Sequence, residues 1–237
     1  MKEHHIQVSR TARYYTLGPA ANVPGDGGRD PRAGAVGDLW FVLHGYRQLA
    51  GRFLNRFREV EASRRVVVAP EALSRFYVED GPGRHGPESR VGATWMTREH
   101  RDAEIGDYVG YLDRVRGRVL ADVPWESARV TVLGFSQGAH TAARWAVHGD
   151  SPPGRLVLWG EYLPPDLDME LAAQRLRGVD LVLVMGERDM AHREELARDQ
   201  ARRLDEAGLA HRVLTHPGGH EIDPGLLREL ASSQDRT

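Results

Sequence analysis

The pentapeptide Gly134-Phe135-Ser136-Gln137-Gly138 follows an apolar run at residues 130–133 and precedes an alanine-rich stretch at 139–147. Glycine on both sides of a serine lets a strand and a helix approach closely around a strained turn, and the hydroxyl then projects at a helix N-terminus. There the helix dipole and free N–H groups favour developing negative charge. The bare pattern also occurs as an ordinary tight turn, so the chemistry depends on a base for the hydroxyl and a carboxylate to orient that base. Asp189, in Gly186-Glu187-Arg188-Asp189, stands just past the apolar run 181–185, and His220 closes Pro217-Gly218-Gly219-His220 beyond the last apolar run. Serine, aspartate and histidine in that order fit acyl transfer with Ser136 as nucleophile, His220 as general base and Asp189 as orienting carboxylate. The competing readings are Asp189 as the cap of a helix starting near Ala191, and Glu187 as the carboxylate instead.

An oxyanion formed in such a reaction needs N–H donors. His44-Gly45-Tyr46 follows the run 39–43, so the backbone amides of Tyr46 and Gln137 are the expected pair. His44 is expected to be a structural hydrogen-bonding residue and not a second base. His216 and His220 share the spacing of a helical metal pair, but Pro217, Gly218 and Gly219 between them argue against a helix, and no metal site is expected. Trp95, Met96, Trp159 and Tyr162 are expected near the carboxyl edge of the strands, either lining an apolar substrate pocket or packing in the core. Glu161, Arg47 and Arg98 would place charge at the pocket mouth or lie on an ordinary surface.

Positioning these residues requires a scaffold, and the sequence alternates short Val/Leu-rich runs with longer amphipathic stretches, the pattern of βαβ units around a mainly parallel sheet. Strands are expected at 39–43, 66–69, 130–134, 156–159, 181–185 and 211–215. Most are uninterrupted apolar runs, as strands covered on both faces should be. Ile105, Tyr108, Val109, Leu112, Val115 and Val119 share one helical face, as do Leu196, Ala197, Ala201 and Leu204 before Gly208. An N-terminal strand or hairpin is expected within 6–17, a Gly/Pro/Asp-rich connection at 19–37, and a second loose stretch at 80–92. No repeat interrupts the pattern. The expectation is a single α/β domain over residues 1–237 with helices on both faces of the sheet, no large cap domain and an open site.

Composition narrows the function classes. At 237 residues and 41% hydrophobic content the chain can build one sizeable core. With 32 basic against 34 acidic residues, a formal charge of -2, no global attraction draws it to nucleic acid or an anionic membrane. The absence of cysteine excludes disulfides, thiolate metal sites and a cysteine nucleophile. Neither a dinucleotide-binding glycine fingerprint nor a P-loop is present, and no cofactor is expected. The charged N-terminus lacks the apolar stretch of a signal peptide, and no segment is apolar enough to span a bilayer, so a cytoplasmic location is expected. The expected partner is a small-molecule ester substrate; a homodimer is left open.

Leu43-His44-Gly45, Ala69-Pro70, Ala93-Thr94-Trp95, the Ser136 pentapeptide, Gly186-Glu187-Arg188-Asp189 and Gly218-Gly219-His220 together resemble the phospholipase/carboxylesterase family of α/β-hydrolases, which includes the acyl-protein thioesterases. The resemblance runs from Leu39 over most of the chain. It implies a compact α/β-hydrolase fold and hydrolysis of carboxylic esters, with Tyr46 and Gln137 as oxyanion donors. Three departures stand out: Tyr46-Arg47-Gln48 after the His-Gly pair, Trp159-Gly160-Glu161 in place of a small Ser-Gly pair, and a different N-terminal segment. The expected activity is a serine carboxylesterase acting on short to medium acyl chains through an acyl-enzyme. Thioesterase, lysophospholipase or amidase activity on the same triad, and a noncatalytic binding scaffold, are the alternatives.

Overall fold

The uninterrupted Val/Leu runs form the centre of the molecule because each can bury both of its faces. In the computed structural model, which describes residues 1–18, 37–62, 64–78, 85–121, 129–189 and 194–232, they make a seven-stranded sheet of order β1-β3-β2-β6-β7-β8-β9. Its parallel members are β2 (Asp38–Leu43), β3 (Arg65–Pro70), β6 (Arg129–Phe135), β7 (Arg155–Trp159), β8 (Asp180–Gly186) and β9 (His211–His216). β1 (Tyr14–Leu17) runs antiparallel along the β3 edge. Among the described residues each crossover within the main sheet is a helix with short loops, apart from the segment holding the two-stranded pair described below.

Alternate residues of one strand feed two separate cores. Leu39, Phe41 and Leu43 of β2 join Leu156, Leu158, Leu181 and Leu183 beneath α2 (Arg101–Ala121), α3 (Gln137–His148), α4 (Met169–Arg175) and α5 (Glu194–Glu206). Trp40 and Val42 join Val157, Trp159 and Val184 beneath α1 (Ala50–Leu54), the 3-10 helix Asn55–Val60 and α6 (Pro224–Ser232). This period-two division covers the sheet on both sides. Ala139, Ala142, Ala143 and Ala146, all buried, give α3 a small-residue face that sits close on the sheet. The helical face expected from Ile105 to Val119 is the buried face of α2.

Three expectations need adjustment. Only Tyr14–Leu17 of the N-terminal segment forms a strand; its partner is β3 and not a local hairpin. The stretch expected to be loose at 80–92, of which 80–84 lie outside the described residues, runs at its end into β5 (Val91–Thr94), which pairs antiparallel with β4 (Ser74–Tyr77) in a second, two-stranded sheet. Leu196 is exposed, so the inward face of α5 is carried by Ala197, Gln200 and Leu204 instead. The connection at 19–36 and the helix start expected near Ala191 lie outside the described residues. No helix among the described residues is long and apolar enough to cross a membrane.

Candidate active site

Ser136 occupies the link between β6 and α3 with φ 54 and ψ -124, a backbone conformation that a non-glycine residue adopts only under constraint. Its neighbours show the constraint. A Cβ on Gly134 would collide with the carbonyl of Gly138, and one on Gly138 with the carbonyl of Leu43. Glycine at both positions is therefore a packing requirement of the turn. The turn is pinned from outside by Ser136 N–H, which donates to Trp159 O at the end of β7 (2.8 Å).

At the ends of β8 and β9, two loops are joined by their backbones. Glu187 N–H donates to His216 O and Arg188 N–H to Gly218 O, while Gly186 lies so close to the Gly218 and Gly219 carbonyls that no side chain would fit. This junction sets Asp189, buried, against His220, whose Nδ1 lies 2.6 Å from Asp189 Oδ2. The contact fixes the proton on Nδ1 and leaves Nε2 as the basic nitrogen. Glu187, the competing carboxylate, points to solvent. The His220 ring packs 4.9 Å from the ring of Phe135, the residue before Ser136, and against Gly160 at the end of β7. Ser136, Asp189 and His220 thus converge at the carboxyl edge of the sheet, where open α/β sheets bind ligands.

Gly45 completes that edge from β2. A Cβ there would lie 3.2 Å from Ser136 Cβ. Gly45 N–H is bound by Gln48 Oε1 and Arg47 N–H by Ala93 O, whereas Tyr46 N–H, between them, donates to no group among the described residues. Gln137 is the first residue of α3, so its N–H has no acceptor within the helix. Both expected oxyanion donors are therefore unspent. His44 is fully buried: Nδ1 contacts Gly45 O at 2.8 Å and Nε2 accepts from Ala72 N–H at 3.1 Å. That pattern fixes a neutral tautomer, and burial pushes the imidazole down to about 4.

The sequence matches the family described as "Serine hydrolase (FSH1)" over residues 40–224. The chain belongs to this FSH1 serine hydrolase family. No curated protein matches it in sequence. Among solved structures it is similar to Zea mays acyl-protein thioesterase 2, with 17% identity, 95% of this chain and 98% of that one covered, and a TM-score of 0.65. A carboxylesterase from Mesorhizobium loti gives 16% identity, 82% and 88% coverage and a TM-score of 0.62. A phospholipase/carboxylesterase from Dyadobacter fermentans gives 13% identity, 97% and 99% coverage and 0.59. At such identities the likeness is one of fold, which is that of the α/β hydrolases.

In this FSH1-family hydrolase the expected pocket residues divide. Trp159 is fully buried on the α1/α6 side, its indole N–H donating to Glu221 O at 2.8 Å, and Trp95 is buried with its indole N–H donating to His44 O at 2.8 Å. Both are core residues that hold loops of the site, so neither offers a wall to a ligand. Met96 is partly exposed and Tyr162 nearly buried at the same edge. Arg98 is a surface residue, and Arg47 donates to Val78 O at 3.0 Å.

Two features escaped the sequence reading. Gln137 also acts through its side chain, accepting from Trp95 N–H and donating to Met96 O (2.9 Å), which ties the 94–96 loop to the nucleophile turn. Gly160, at φ 72, lets the chain pass the His220 ring, where a Cβ would lie 3.0 Å from Cε1. Its successor Glu161, expected at the pocket mouth or on an ordinary surface, is half-buried, and burial pushes its carboxyl up, opposed by the Tyr162 N–H and by His220.

Proposed function

We propose that this serine hydrolase is a carboxylesterase that cleaves esters of short to medium acyl chains through an acyl-enzyme on Ser136. His220 Nε2 takes the Ser136 proton as Oγ attacks the ester carbonyl, and Asp189 stabilises the imidazolium that forms. The N–H groups of Tyr46 and Gln137 receive the oxyanion, the alcohol leaves with the proton from His220, and water releases the acyl group by the same route. Met96 and Tyr162 border the acyl group. No metal or cofactor has a part in this scheme, and the site is proposed to work in a single domain located in the cytoplasm.

The observation carrying the reading is the 2.6 Å contact of His220 Nδ1 with Asp189 Oδ2 at the edge where Ser136 sits in its strained turn. The test is hydrolysis of p-nitrophenyl esters of rising acyl length by wild type and Ser136→Ala. Wild-type turnover with a loss of more than about a thousandfold in the folded variant supports it. Equal turnover by the two proteins overturns it, and wild-type cleavage of thioesters or amides alone moves the assignment to those substrates.

A further inference from the structure

Glu161 is a half-buried carboxylate to which no arginine, lysine or histidine is paired among the described residues. Its hydrogen bond from the N–H of its neighbour Tyr162 is long, at 3.3 Å. Other carboxylates withdrawn from water in this protein are neutralised: Glu71 by Arg13 and Arg75, Asp38 by Arg65, and the partly buried Asp180 by Arg155 and Arg212. A carboxylate held from water without a cation is costly, and a cationic ligand would recover that cost.

The loop carrying Glu161 is also held in place. Leu163 N–H donates to the buried Gln200 (2.9 Å), Arg203 donates to Pro164 O (3.0 Å), and Asp166 is gripped by Arg101 and Arg144 from two different helices. These bonds fix the backbone that follows Glu161, and Gly160 N–H, donating to Val184 O at 2.8 Å, fixes the backbone before it, which limits where the carboxylate can reach. Its position relative to the chemistry follows from Gly160, which packs directly on the His220 imidazole; Glu161 is the next residue, and its charge is felt by both His220 and Asp189. The leaving alcohol must take its proton from His220, so groups beside that ring face the alcohol half of an ester.

We propose that Glu161 forms a cation subsite on the leaving-group side and that the enzyme prefers esters whose alcohol carries an ammonium group a few atoms from the scissile bond. The inference rests on the esterase reading above. It is tested with two esters of the same acid that share a shape and differ in charge: butyrylcholine and 3,3-dimethylbutyl butyrate, followed by pH-stat at constant ionic strength. The quantity read is the ratio of kcat/KM for the charged over the neutral ester, in wild type, Glu161→Gln and Glu161→Asp.

A wild-type ratio well above unity that falls about tenfold in Glu161→Gln, mainly through the KM of the charged ester, and is largely kept in Glu161→Asp is the expected result. A ratio that is the same in wild type and Glu161→Gln overturns the subsite, as does a wild-type ratio at or below unity. Failure of the esterase reading is distinct: neither ester, nor p-nitrophenyl butyrate, is hydrolysed by the wild type, and the subsite then falls with it.

Discussion

The two ends of the central sheet handle charge in opposite ways. At the amino end, Asp38 lies opposite Arg65 in the β2/β3 register and opposite Arg129 in β2/β6, while Arg155 lies opposite Asp180 in β7/β8. The groups meet there: Arg65 bonds Asp38 (3.1 Å) and the carbonyls of Val60 and Ala231, and Asp180 takes both Arg155 and Arg212. At the carboxyl ends of β7, β8 and β9 the ionisable groups include Asp189, His220 and Glu161, with no arginine bonded to Glu161 among the described residues, whereas Glu71, past the end of β3, is paired with Arg13 and Arg75. The amino end uses ion pairs to close the sheet against α6; around the ends of β7 to β9 the contacts are instead the Asp189–His220 pair and a Glu161 without a bonded arginine among the described residues. The difference is set by the neighbours, since arginine donors saturate the first end and glycine-forced turns leave N–H groups and ring nitrogens unspent at the second.

The comparison predicts that substitutions at the carboxyl end change rate and those at the amino end change stability. The largest effect is Asp189→Asn, expected to lower kcat by about 10^4 with little change in melting temperature, because the amide fixes the wrong imidazole tautomer; steady-state kinetics with thermal melts check it. Arg65→Met is expected to cost about 3 kcal/mol, since Asp38 stays buried with its main partner removed. Urea unfolding measures that loss, and kcat/KM of the folded fraction should stay at the wild-type value.

His44 gives a pH signature at the site end. The unfolded chain binds its proton near the ordinary value of 6.5 and the buried native residue only near 4. This stability is therefore complete above about pH 6.5 and declines as pH falls toward 4, by at most about 3 kcal/mol, with His140, also pushed down to about 4, acting in the same direction. Urea midpoints at pH 7 and pH 5 test the sign. The smallest effect is Gly160→Ala, expected to cost about 1 kcal/mol from the positive φ. It should also lower kcat several-fold by displacing the His220 ring, so unchanged kinetics would separate this turn from the site.

Much of this site could be read from the chain because its constraints are local. Gly134 is dictated by a collision within its own turn and Gly138 by the Leu43 carbonyl of neighbouring β2, but both sit in one pentapeptide; the inner parallel strands announce themselves because both of their faces are buried, while β9 at the edge, with Val213 exposed, is marked only by its short apolar run. What was illegible depends on distant packing. Ser74–Tyr77 is a short strand whose one apolar anchor, Phe76, stands among polar residues, so no run marked it. The sequence placed Trp159 at the right edge of the sheet, but not on the face that packs against α6. Gly160 matters only because β7 and the histidine loop meet in space, and Glu161, legible as a pocket-mouth or surface charge, gave no sign in the sequence of being half-buried.

The most direct test of the account is covalent labelling with an alkyl fluorophosphonate, followed by intact-mass and peptide mass spectrometry. The account predicts one adduct, on the peptide containing Ser136, absent from Ser136→Ala and formed much more slowly in His220→Ala. An adduct on another residue, or labelling unaffected by Ser136→Ala, would contradict it.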